Sequence, residues 1–182
     1  MSQTTQHDLI GIADVAAKIP AFLKKVPNLV NGLRQAYLRT PNTAAGLGLA
    51  FEKAVQRNPE GIALRFEDQS FSYTELNGWA NQIAHYYLSL GAKKGDVVAL
   101  MVENRPEMVA SVIGLAKLGV TIALLNTSQV GKVLAHSINL VKPIAVIVGD
   151  ECHAAVAEIR DELNIAADRF HWFADQPTQQ NP

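Results

Sequence analysis

Three features of this 182-residue sequence predict an α/β fold built of parallel βαβ sheet units and preceded by a helical arm. Short apolar runs at 97–102, 120–125 and 144–148, with a further candidate at 169–173, recur about every 23 residues with helix-patterned segments between them. That alternation is how parallel strands joined by crossover helices are written. Hydrophobic residues make up 48% of the chain and charged residues 18%, an ample apolar supply for a core. Residues 1–42 stand apart, with Lys18, Lys24, Lys25, Arg34 and Arg39 against Asp8 and Asp14, so the arm carries +3 and the remainder −4.

In the arm, Ile19, Phe22, Leu23, Val26, Leu29, Val30, Leu33 and Tyr37 recur at three- and four-residue steps, an amphipathic helical pattern. Pro20 and Pro27 are expected to divide it, because proline removes a helix donor and clashes with the preceding turn. Pro41 closes it ahead of the linker-like stretch 42–46. The plainer reading is a pair of short helices packed on the following domain. The sharper one is a basic amphipathic segment on an anionic membrane surface, with Phe22, Leu23, Val26 and Val30 dipping into the interface and Lys18, Lys24, Lys25 and Arg34 meeting lipid phosphates.

The expected domain runs over 43–175, with a polar tail at 176–182. Leu49 to Gln56 reads as a helix ended by Asn58-Pro59. Ile62 to Phe66 and Ser70 to Tyr73 flank the polar turn Glu67-Asp68-Gln69 and predict a hairpin. Ser72 and Glu75 have capping-box spacing, and the helix they open carries Leu76, Trp79, Ala80, Ile83, Ala84 and Tyr87 on one face until Gly91. Val97 to Val102 has the unbroken apolarity of a strand covered on both faces. Asn104 is the expected N-cap of a helix with Pro106 in its first turn, running to Leu118. Val120 to Leu125 is the next strand, and Ser128 is expected to cap a helix through Leu140. Ile144 to Val148 follows, then a helix from about Glu151 to Leu163, and Arg169 to Phe173 starts a fourth strand.

Several function classes are disfavoured. A formal charge of −1 and pI near 6.5 lack the basic surface a nucleic-acid binder needs. The lone Cys152 cannot form an internal disulfide and suits a reducing, cytoplasmic setting. Met1 to Asp8 lacks the basic and apolar regions of a secretory signal. Met108 to Leu125 is long enough to test as a membrane span, but Lys117 and Gly119 fall at its middle, which favours a helix, a glycine stop and a buried strand.

Chemistry-bearing motifs are largely missing. Gly46-Leu47-Gly48 lacks the third glycine and the preceding strand of a dinucleotide fingerprint, and Gly131-Lys132 is no Walker loop. No Gly-x-Ser-x-Gly elbow is present. His7, His85, His136, His153 and His171 include no pair at a metal-ligand spacing. Cys152 and His153 are helix neighbours and diverge by about 100°, so they make a poor nucleophile and base. Glu103 and Glu107 flank a helix start, where negative charge offsets the dipole. Asp96 reads as a turn residue. No catalytic, cofactor-binding or metal residue is assigned.

Several strings, in order, resemble the opening part of the AMP-forming acyl-CoA synthetases, the adenylate-forming superfamily. Phe71 to Leu76 looks like the first core motif, continued by Ala80 to Ala84. Gly91 to Ala99 is similar to the turn into the buried strand, and Asn104 to Glu107 to the next helix start. Gly114 to Asn126 looks like the second core motif. Its continuation through Thr127 and Ser128, together with Leu134 to Glu151, resembles the fatty acid transport protein or very-long-chain acyl-CoA synthetase branch. The resemblance covers about 47–175 and implies part of the large N-terminal domain of an adenylate-forming enzyme.

The implied activity is ligation of a long-chain fatty acid to coenzyme A through an acyl adenylate, with ATP and Mg²⁺. The family's Gly-rich ATP loop and its later motifs do not occur before Pro182, so no catalytic residue carries over. The implication is an N-terminal fragment, inactive alone and without a cofactor of its own, cytoplasmic or peripheral on the cytoplasmic membrane face. Two alternatives stay open: a non-catalytic binding module of the same fold, and an unrelated Rossmann-like small-ligand domain.

Overall fold

The computed structural model describes the backbone of residues 12–37 and 46–173, and the side chains of 19–34 and 46–173. Two compact units are present, Met1–Ala44 and Ala45–Pro182. The domain limits expected after residues 42 and 175 lie outside the described residues.

The first unit contributes α1, Ile12–Tyr37, a single helix of 26 residues. Pro20 and Pro27 lie inside it and do not divide it, contrary to the sequence expectation. Each proline deletes one backbone bond, to the carbonyl four residues earlier. The neighbouring Ala, Leu and Lys residues are strong helix formers, and the turns on either side of each proline persist.

The second unit opens with α2 (Leu47–Arg57) and the antiparallel hairpin β1 (Ile62–Phe66) and β2 (Gln69–Ser72). Glu67 takes φ 50 at the turn, and Gln69 already pairs with Phe66, so the turn is shorter than the sequence suggested. Helix α3 (Tyr73–Ser89) starts on the expected capping box: Ser72 Oγ accepts from the Glu75 amide, and the Glu75 carboxylate accepts from the Ser72 amide at 2.8 Å.

Strands β3 (Val97–Met101), β4 (Thr121–Leu124), β5 (Ala145–Gly149) and β6 (Phe170–Phe173) form one sheet in the order β4-β3-β5-β6, with every neighbouring pair parallel. The connecting helices are α4 (Pro106–Lys117), α5 (Gly131–Val141) and α6 (His153–Glu158). On β3 and β5, Val98, Leu100 and Ile147 turn to the face covered by α3 and α4, packing with Tyr87 and Leu115. Ala99, Met101, Val146 and Val148 turn to the face covered by α5 and α6, packing with Leu134, Ile138 and Val156. Burial on both faces is the physical reason these strands read as continuous apolar runs.

Met108 to Leu125 resolves into most of α4, a turn and β4; no described helix is long and apolar enough to cross a membrane. Three local expectations need correction. Helix α4 is capped by Arg105 rather than Asn104. Helix α5 begins at Gly131 after Val130 with no side-chain cap, and Ser128 lies in the preceding tight turn, its amide donating to Asn126 Oδ1. The helix expected over 151–163 is α6 flanked by two 3₁₀ turns. Asn139 bonds the Glu162 carbonyl and the Asn164 amide, while Arg160 lies over the Phe170 ring at 3.5 Å, so tertiary contacts bend this segment away from α-helix.

Candidate functional site

Strand β3 leads into α4 on one face of the sheet, and its neighbour β5 leads into α6 on the other. Loops that part to opposite faces leave a crevice at the carboxyl ends of the two strands, the usual ligand position in an open α/β sheet. The residues gathered there are Glu103, Asn104, Arg105 and Glu107 after β3, and Glu151 after β5.

Glu151 folds back over Gly149, where a Cβ would collide with its carboxylate. Its Oε1 accepts from the Glu103 amide at 2.6 Å, and its Oε2 lies 3.5 Å from Arg105 Nη1. Arg105 Nε lies 3.5 Å from Glu107, and Nη2 donates to the Phe173 carbonyl at 3.0 Å. The guanidinium thus joins the loops after β3 and β5 to the end of β6. Its side chain is 13% exposed, so the attractions act in a partly desolvated setting. Glu107 is turned to Arg105 and Glu103 is exposed, so they do not work as an acid–base dyad.

Beside this clamp, between the ends of β3 and β4, lies a cleft of about 460 Å³ lined by Val102, Glu103, Asn104, Leu125, Asn126 and Thr127. A nucleotide triphosphate needs cations and converging amide donors. This lining offers a carboxylate and amides instead, and Arg105 is engaged by Glu107, Glu151 and Phe173. The cleft does not fit a phosphate site. No group of three or more His, Cys, Asp or Glu able to hold a metal occurs among them either.

Two further clusters were not visible to sequence reasoning. Lys117 Nζ donates to Asn77 Oδ1 and Asn81 Oδ1, both at 2.6 Å, and lies 3.6 Å from Glu52, tying α4 to α3 and α2. Between α3 and the β5–β6 side of the sheet, a cavity of about 230 Å³ is lined by Trp79, Ile83, Tyr86, Tyr87, His171 and Phe173, among others. Tyr87 Oη and His171 Nδ1 are 2.5 Å apart in a hydrogen bond. Burial lowers the His171 pKa and raises that of Tyr87, so both are neutral at pH 7.

The remaining candidates settle simply. Cys152 is buried, with its thiol pKa pushed up to about 11 by burial, whereas His153 packs its ring on Trp172 at 4.5 Å. They form no catalytic couple. Lys132 is exposed on α5. On α1, Phe22, Leu23, Lys24, Lys25 and Arg34 are exposed and Val26 is half-buried; the Lys18 side chain lies outside the described residues.

Residues 51–181 match the sequence profile of the AMP-binding enzymes. The chain belongs to that family. It is 33% identical over 152 residues to the medium/long-chain-fatty-acid–CoA ligase FadD6 of Mycobacterium tuberculosis, covering 84% of this chain and 26% of the ligase. It is 38% identical over 122 residues to long-chain fatty acid transport protein 1 of Rattus norvegicus, covering 66% of this chain and 19% of that protein. Among solved structures, the anthranilate CoA ligase AuaEII, bound to anthranoyl-AMP, superposes with a TM-score of 0.68 over 74% of this chain and 26% of its own, at 21% identity. The chain therefore has the fold of an adenylate-forming N-terminal domain, and spans about a quarter or less of these relatives.

Proposed function

We propose that the chain is the amino-terminal part of a long-chain fatty acid–CoA ligase, using ATP, Mg²⁺ and coenzyme A and working in the cytoplasm. The observation that carries this reading is the similarity to a medium/long-chain ligase along 84% of the chain. The similarity to fatty acid transport proteins supports the lipid substrate class.

Within such an enzyme these 182 residues act as scaffold. The Arg105–Glu151 contact holds the loop after β3 to the loop after β5, and the Lys117 network holds three helices in register. On this reading the isolated chain is inactive, because the family's Gly-rich ATP loop does not occur among its 182 residues. ATP–pyrophosphate exchange with palmitate should show no activity above background for this chain. Exchange at the rate of an intact ligase would overturn the scaffold assignment. An in-frame continuation past Pro182 into a Gly-rich ATP loop would support the ligase, whereas a stop codon with a stable folded product would favour a non-catalytic binding module.

A further inference from the structure

We propose that α1 is a membrane-surface helix whose partner is an anionic phospholipid bilayer. The inference rests on α1 alone, so it stands or falls separately from the ligase assignment.

Because Pro20 and Pro27 leave α1 as one helix, its apolar residues line up without a break. At 3.6 residues per turn, Ile19, Phe22, Leu23, Val26, Leu29, Val30 and Leu33 fall within an arc of about 120°. Six of the seven are exposed, Phe22 and Leu23 at 59% each, which is unusual for so many large apolar side chains on one face. Lys25 and Arg34 sit just outside opposite edges of that arc, and Lys24 lies farther round beside Asn28 and Asn31.

The charges select the occupant. All charged residues between Ile19 and Arg34 are cationic. A second copy of the same face would bring the edge charges Lys25 and Arg34 against like charges, whereas an anionic lipid surface is complementary to both. Cations flanking an apolar stripe can extend to headgroup phosphates while the stripe enters the acyl boundary. Spanning is excluded by Lys24 and Lys25 at the middle of the helix, where a bilayer core penalises charge most. The prolines are compatible with this role. They lie seven residues apart, hence on one flank, and the carbonyls they leave unbonded can be met by interfacial water.

Vesicle flotation of the full 182-residue chain tests this, using phosphatidylcholine alone and phosphatidylcholine mixed with phosphatidylserine. Binding is expected to the mixed vesicles only, and to weaken with salt. Lys25→Glu with Arg34→Glu should weaken it at least about 30-fold, since two favourable cation contacts are lost and two repulsions added. Phe22→Ser with Leu29→Ser should also abolish flotation, with unchanged Trp79 and Trp172 fluorescence showing that the second unit remains folded. Absence of flotation, equal binding to both vesicles, or indifference to the charge reversal would overturn the proposal. So would a dimer in sedimentation that the Phe22/Leu29 double variant dissolves while wild type ignores lipid.

Discussion

Lys117 is the one charge in the eighteen residues from Met108 to Leu125, and its side chain is 9% exposed. Its amide partners Asn77 and Asn81 lie one helical turn apart on α3, but 40 and 36 residues away in sequence. No local pattern announces that they converge on one ammonium group. Glu52 is half exposed and adds little to the pair. Replacing Lys117 with Met keeps the apolar stem and strands two amide oxygens, so the urea midpoint should fall by the equivalent of about 1–3 kcal/mol. An unchanged midpoint would mean that water replaces the ammonium without loss. His171 gives a second measurable signal. Burial and the nearby Arg169 charge hold its pKa below the ordinary 6.5, so the folded chain prefers the neutral ring. As pH falls through 6.5 the unfolded chain takes up this proton first. The stabilisation is therefore complete above that value and declines below it, until the folded ring also protonates. The melting temperature should drop between about pH 7 and pH 5, and His171→Gln should flatten that slope. A slope unaltered in the variant would assign the pH response to other groups.

Among the elements, those whose determinants are local were legible and those shaped across the fold were not. The start of α3 is set by Ser72 and Glu75, three residues apart, and the structure shows the reciprocal bonds. The starts of α4 and α5 have no side-chain cap, so Asn104 and Ser128 carried a signal that the fold does not use. The helix expected over 151–163 is interrupted by contacts from Asn139 and Phe170, which no window of that segment contains. The end of α5 is a further case. Its C-cap, Lys142, adopts φ 47 and ψ 57, a left-handed conformation that crowds Cβ against the carbonyl and costs a non-glycine residue about 1–2 kcal/mol. Pro143 prevents the helix from simply continuing. Lys142→Gly removes the crowding while adding flexibility to the unfolded chain. The net expectation is a gain of about 0.5–1 kcal/mol in urea unfolding. A loss would show that the lysine stem contributes packing that outweighs its backbone strain.

At the scale of the whole chain, the sequence supports parallel strands but not their order. Apolarity on both faces marks β3 and β5 as interior, yet nothing local says that β5 crosses to the far side of β3. That crossing creates the crevice clamped by Arg105 and Glu151. The same order makes β4 and β6 the edges among the described strands. Both edges carry exposed apolar side chains, Leu124 at 63% and Trp172 at 41%. On β6, the run Phe170-His171-Trp172-Phe173 combines high strand propensity with no charge at neutral pH. An edge of this composition offers unpaired backbone groups beside an apolar surface, the arrangement by which sheets join edge to edge. The 182-residue chain should therefore self-associate as concentration rises, seen as growing mass in light scattering. Trp172→Lys places a charge on the strand at a partly exposed position, where the indole rests on the His153 ring and stacks at 6.5 Å on Phe170. It should shift association to higher concentration, with a modest fall in melting temperature from the lost stacking on Phe170. A wild-type chain that stays monomeric throughout the range would show that β6 is protected; association unaltered by Trp172→Lys would place the contact elsewhere, with the apolar face of α1 the next surface to test.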